Sequence, residues 1–152
     1  MTIALLAEHS HLVPQLAAWY KTEWPHWYGP GGQGNAEDDL LSYANKGSLP
    51  VGVVALRCGI PCGVAALKAE SLPSHAHLSP WAAGGYVAPS LRGQGIGAAL
   101  LNALEREARL LGFTKIFCGT STAASLLLRS GWSFLEAADR EGAEVAIYAK
   151  AL

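Results

Sequence analysis

The chain has 152 residues, 51% hydrophobic and 15% charged, with a formal net charge of −1. Such a composition fits one core-rich globular domain, residues 1–152, and excludes a disordered chain. The near-neutral charge, without any block of like charges, argues against nucleic acid or an anionic membrane as partner.

No apolar run approaches the ~20 residues of a membrane span, and Met1-Thr2-Ile3 lacks the basic start of a signal peptide. Cys58, Cys62 and Cys118 form no C-x-x-C and cannot all pair. A reducing, cytoplasmic setting is therefore expected, although a Cys58–Cys62 bridge across a turn stays open.

In chain order, Ile3 to Leu6 reads as a first strand. Ser10 predicts the cap of a helix that carries Pro14 in its first turn, where a missing N–H costs little. Leu12, Leu16, Trp19, Tyr20 and Glu23 share one side at helical spacing. Trp24-Pro25 ends this helix, because proline disfavours helical geometry in the residue before it. The stretch from Trp24 to Gly34 is so dense in Pro and Gly that no regular element is expected, yet it carries Trp24, Trp27 and Tyr28. Asn35 predicts an N-cap, followed by Glu37, Asp38 and Asp39, which the helix dipole favours. Leu40, Leu41 and Ala44 give the apolar face, with Lys46 in the last turn and Gly47 just past it.

Val51 to Leu56 and Ile60 to Leu67 predict a hairpin around Arg57-Cys58-Gly59. Glu70 to Pro80 is a loop holding His75 and His77, and Trp81 to Val87 is a strand. Leu100, Leu101, Leu104, Ala108 and Leu111 then repeat at helical spacing, with Asn102, Glu105, Arg106 and Arg109 outward. Gly112 ends that helix. Lys115 to Cys118 is a strand, Ala123 to Ser130 a short helix, and Ser133 to Ala138 with Glu144 to Ala149 a closing hairpin. The order β-α-α-β-β-β-α-β-α-β-β implies an α/β fold with a mixed sheet covered by helices.

Between the strand at Tyr86-Val87 and the long helix lies Ala88-Pro89-Ser90-Leu91-Arg92-Gly93-Gln94-Gly95-Ile96-Gly97-Ala98. Closely spaced glycines let backbone N–H groups approach a ligand. A helix start adds unpaired N–H groups and partial positive charge, which together suit a phosphate or diphosphate. No acidic residue occupies the first turn, and Arg92 stands where a guanidinium can pair with phosphate oxygens. A P-loop is excluded, because Ala98-Ala99 follows Gly97 instead of Lys-Ser or Lys-Thr. The dinucleotide fingerprint is formally met by Gly93, Gly95 and Ala98. It lacks the acidic residue needed about 20 positions on.

Arg92-x-x-Gly95-x-Gly97 resembles the acyl-coenzyme-A loop of the GNAT superfamily of N-acetyltransferases, and the whole run from Tyr86 to Gly97 is similar to that superfamily's central motif. Ala123 to Trp132, closing on Gly131-Trp132, resembles a second one. The resemblance implies a splayed, mostly antiparallel mixed sheet of about six to seven strands flanked by about four helices. It implies that Tyr86, Val87 and Ala88 pair with the pantetheine arm of acetyl-CoA. Arg92, Gly93, Gln94, Gly95, Ile96, Gly97 and Ala98 would hold its diphosphate, and the helix Ala123 to Ser130 would flank the arm. The implied activity is acetyl transfer to an amine by direct attack in a ternary complex, with the Val87 N–H stabilising the oxyanion.

Two family features are missing. Many members carry a glutamate base near the start of the glycine-loop strand, about where Trp81 stands here. Many carry a tyrosine acid four residues before the Gly-aromatic pair, where this chain has Leu127. The substitutes on offer are Glu23, as base or ammonium anchor, and Ser121, as a hydroxyl that can solvate a thiolate. Trp24, Trp27, Tyr28 and Trp81 either line a pocket for a small amine, whose ammonium a ring face attracts, or form a lid over the core. No metal site is expected, since His75-x-His77 and His9-x-His11 lack further partners at ligand spacing. The expected acceptor is a small-molecule amine, and the protein is expected to be a monomer or homodimer. An acyl-CoA-binding regulator without turnover remains the alternative.

Overall fold

The computed structural model describes residues 1–152. β1 (Thr2–Leu5) leads through two short 3-10 turns into α1 (Val13–Glu23), α2 (Pro25–Tyr28) and α3 (Ala36–Tyr43). The hairpin β2 (Val51–Arg57) and β3 (Ile60–Lys68) follows, then β4 (Trp81–Val87), α4 (Ile96–Leu110), β5 (Lys115–Thr120), α5 (Ala124–Arg129), β6 (Ser133–Arg140) and β7 (Ala143–Ala151). The strands form one seven-stranded sheet in the order β1-β2-β3-β4-β5-β7-β6. All pairs are antiparallel except β4 with β5. Those two are parallel because α4 carries the chain back across the sheet between them.

β4 and β5 are in register only at Trp81 opposite Phe117. Beyond that point, toward Val87 on one strand and Thr120 on the other, they part. α4 and α5 cover one face of the sheet, where Leu100, Leu101, Leu104, Ala108 and Leu127 pack with Ala65, Ile116 and Trp132. α1 and α3 cover the other face of the β1–β4 half, through Leu16, Tyr20, Leu40 and Tyr43. On that side of the β5–β7 half, Leu72 packs with Trp81, Phe117 and Ile147.

Several local expectations are corrected. Ser10 caps nothing: it opens a 3-10 turn, and α1 starts at Val13 with Leu12 in the cap position. The Pro- and Gly-rich segment does contain a helix, the single turn α2, for which Pro25 supplies a preset φ at the first position. Asn35 does cap α3, its side chain accepting from the Asp38 N–H at 3.0 Å. That helix stops at Tyr43, so Lys46 and Gly47 lie outside it, and its buried face is Ala36, Leu40 and Tyr43 with Leu41 exposed. Glu105 does not point outward. It is buried, with Lys150 Nζ 2.9 Å and Arg109 Nη2 3.7 Å from its Oε1. A lysine arriving on the last strand is invisible to helical periodicity.

Cys58 and Cys62 are both free. Cys58 is exposed, Cys62 is buried, and desolvation pushes the Cys118 thiol up to about 12. Only the thiolate reacts, so a disulfide reagent at pH 8 is expected to label Cys58 alone in the folded protein. Rapid labelling of Cys118, followed by peptide mapping, would contradict this packing.

Candidate active site

α4 begins at Ile96 with Gly95 in the cap position, at φ +85°. That left-handed conformation is cheap only for glycine, and it turns the chain so that the first N–H groups of α4 face outward. The N–H of Ala99 is the first to be used inside, donating to Gly95 O at 3.1 Å. The N–H groups of Ile96, Gly97 and Ala98 are therefore the unpaired donors of the helix start. No acidic side chain sits in this turn. A Cβ built on Gly95 meets no atom within 4 Å, so the space before these amides is open. Gly97 lies against α5, where a Cβ would come within 3.0 Å of Leu126. The residues present thus fit a diphosphate at the mouth of the sheet opening.

The strand edge is more selective than the sequence implied. Ala88 donates its N–H to Cys62 O at 3.0 Å and accepts from the Leu91 N–H at 2.9 Å, so neither group is free to face the opening. Tyr86 pairs with Val64 on β3, and its ring stacks on Trp19. Alternation along the strand then directs the N–H and C=O of Val87 away from β3; the C=O accepts from Arg92 Nε, which leaves the N–H facing the opening.

Arg92 is also placed differently. Its Nε donates to Val87 O at 2.9 Å, its guanidinium carbon lies 5.3 Å above the Tyr86 ring, and Nη2 is 3.9 Å from Glu23 Oε2. The side chain braces the loop against β4 instead of facing the α4 amides. A different guanidinium, that of Arg57, reaches the loop and donates to Gln94 Oε1 at 3.0 Å. No local pattern marks Arg57, because only the β2–β3 pairing brings the end of β2 beside the loop.

Glu23, the last residue of α1, is brought by Arg92 to the Val87 end of β4 with its carboxylate about half exposed. Ser121 is exposed just beyond β5, the strand on the other side of the opening from β4. Thr120 makes the turn into α5, its hydroxyl accepting from the N–H groups of Thr122 and Ala123. That leaves the neighbouring Ser121 hydroxyl uncommitted to capping.

The aromatic residues divide. Tyr28 stacks on Tyr20 at 5.6 Å and Trp24 meets Tyr20 edge-on at 5.1 Å. The Tyr28 hydroxyl donates to Asp39 Oδ2 at 2.6 Å. Burial, reinforced by that bond, raises its ionisation far above the ordinary phenol range, so it stays a neutral donor. Trp27 is 41% exposed. Trp81 does not join them: it is fully buried beside Phe117, with Nε1 donating to Leu78 O at 2.7 Å. Its position at the closed end of the β4–β5 pair explains this, since no opening exists there. Leu127 is likewise core. His75 bonds to Ser74 and Glu136, away from this site. A shallow depression lined by Lys68, Glu70, Ser71 and Pro73 lies at the end of β4 opposite the glycine loop.

A family model described as Acetyltransferase (GNAT) family matches residues 13–129. No curated relative matches significantly. Solved structures of similar fold include an aminoglycoside 6'-N-acetyltransferase complexed with coenzyme A, 16% identical over 99% of this chain and 97% of that one, with TM-score 0.80. A putative acetyltransferase from Salmonella typhimurium with its cofactor acetyl-CoA is 18% identical over 99% and 93%, with TM-score 0.76. A ribosomal-protein-alanine N-acetyltransferase from Brucella melitensis is 24% identical over 100% of both chains, with TM-score 0.73. At these identities the likeness establishes the fold.

Proposed function

This chain belongs to the GNAT family of acetyltransferases, and on that premise we propose that it transfers an acetyl group from acetyl-CoA to the amine of a small molecule. The observation that carries the reading is the helix start at Gly95, with unpaired amides, no acidic residue and open space in front, set at the mouth of the β4–β5 opening. Acetyl-CoA supplies an activated thioester carbonyl. The amides of Ile96, Gly97 and Ala98 hold the diphosphate, Val87 aligns the arm, and the Val87 N–H faces the developing oxyanion. Much of the rate then comes from positioning.

An alkyl ammonium, with a pKa of about 10.4, must lose a proton before its nitrogen attacks. Glu23 attracts that ammonium and takes the proton, directly or through water. The new N–C bond forms as the C–S bond breaks, the proton that the nitrogen sheds on becoming an amide passes through solvent to the departing sulfur, and Ser121 donates a hydrogen bond to that sulfur. Trp24, Trp27 and Tyr28 line the acceptor side, which favours a small, partly apolar amine. The acetyltransferase of like fold that is named for aminoglycosides is likewise named for small-molecule amines, although more polar ones. All three cysteines are free, in keeping with a reducing, cytoplasmic setting, where the chain works as one domain.

A panel of small amines incubated with acetyl-CoA, followed by release of free thiol, tests the proposal. Release with at least one amine well above the hydrolytic background is expected. Cofactor binding without release for any amine would favour the alternative, a binding protein without turnover.

A further inference from the structure

We infer that Tyr20 is the positioning residue that holds the sheet open, through a hydrogen bond from its buried hydroxyl to a kink in β4. Opposite β3, Ala83 faces Ala66 and Tyr86 faces Val64, so Gly84 and Gly85 together face the single residue Ala65. This is a β-bulge, which breaks the ladder locally and bends its strand. It lies between Trp81, where β4 is still paired with β5, and Val87, where the two have parted. The bulge is therefore the place at which β4 turns away.

A carbonyl left without a ladder partner inside a protein costs about as much as a lost hydrogen bond. Gly84 O accepts from the Tyr20 hydroxyl at 2.7 Å, and Tyr20 is 0% exposed. The fit is reciprocal. Gly84 has φ +60°, and a Cβ there would lie 2.5 Å from Tyr20 Oη. The ring alone would fill the core equally well as phenylalanine, so the hydroxyl is accounted for by the bulge carbonyl. The same ring carries Tyr28 and Trp24 on its other sides. One side chain thus joins the aromatic acceptor-side segment to the backbone that aims Val87.

The kinetic consequence rests on the acetyl-transfer reading; the structural one does not. In the free protein, Tyr20→Phe is expected to speed amide hydrogen exchange at Ala83 and Tyr86, which pair with β3 on either side of the bulge, by about tenfold, the effect of losing one net hydrogen bond, with α4 unchanged. Unaltered exchange there would overturn the inference. Gly84→Ala is expected to destabilise the Tyr20→Phe protein less than the wild type, because the added methyl no longer meets the hydroxyl; an equal loss in both backgrounds would also overturn it. In the transfer assay, Tyr20→Phe is expected to lower kcat by about tenfold to a hundredfold, the effect of a small misplacement, while KM for acetyl-CoA changes by less than about twofold. A variant with wild-type kcat and only a lower Tm would reduce Tyr20 to a packing residue. Should the wild type show no transfer, the exchange and double-variant measurements still decide whether the hydroxyl holds the bulge.

Discussion

Gly95→Asp is expected to weaken coenzyme A binding by about a hundredfold or more while leaving the domain folded. The loss follows from placing a carboxylate at the start of α4, where the amides of Ile96, Gly97 and Ala98 face outward without an acidic neighbour. A charge-assisted hydrogen bond is worth about 1.5–3 kcal/mol. Replacing attraction by repulsion at a site with several such donors therefore exceeds the ~2.7 kcal/mol that a hundredfold represents. The fold survives because the position is exposed and a Cβ there meets nothing within 4 Å. Its φ of +85° makes any side chain cost about 1–2 kcal/mol, which lowers Tm by only a few degrees in a domain of this size. Gly95→Ala carries the same backbone strain without the charge and is expected to lose far less affinity. Isothermal titration of the three proteins with coenzyme A separates the effects. Equal affinity for Gly95→Asp and wild type would remove the diphosphate from this loop.

Glu23→Gln is expected to lower kcat by about a hundredfold or more, the lower end of what a positioned acid or base contributes, with acetyl-CoA affinity unchanged. The carboxylate lies at the Val87 end of the opening and meets the glycine loop only at Arg92, whose Nε is held by Val87 O, and not at the α4 amides. It is about half exposed and its partner Arg92 is equally so, hence stability should move by less than about 0.5 kcal/mol. Initial rates over a range of acceptor concentrations check the expectation. A variant with wild-type kcat would show that solvent alone takes the proton.

The glycine-rich turn into α4, the succession of strands and helices along the chain and the β4 boundaries were legible in the sequence because they are written locally. Turn residues, helix starts and apolar periodicity need only a few neighbouring positions. What the sequence concealed depends on contacts between distant segments. Arg92 reads as a phosphate ligand until Val87 O and Glu23 are seen to engage it. Trp81 reads as an aromatic wall for the acceptor until the pairing with Phe117 puts it at the closed end of the opening. Tyr20 reads as one more apolar position on α1, although its hydroxyl meets a carbonyl 64 residues away. Glu105 has the spacing of an outward residue, and Lys150 reverses that from the far end of the chain.

Titration of the isotopically labelled protein with coenzyme A, followed by amide NMR, tests the central claim most directly. The largest shifts are expected at the N–H groups of Ile96, Gly97 and Ala98, with a second set at Val87. Shifts gathered instead around Lys68 to Pro73, or none at the start of α4, would contradict it.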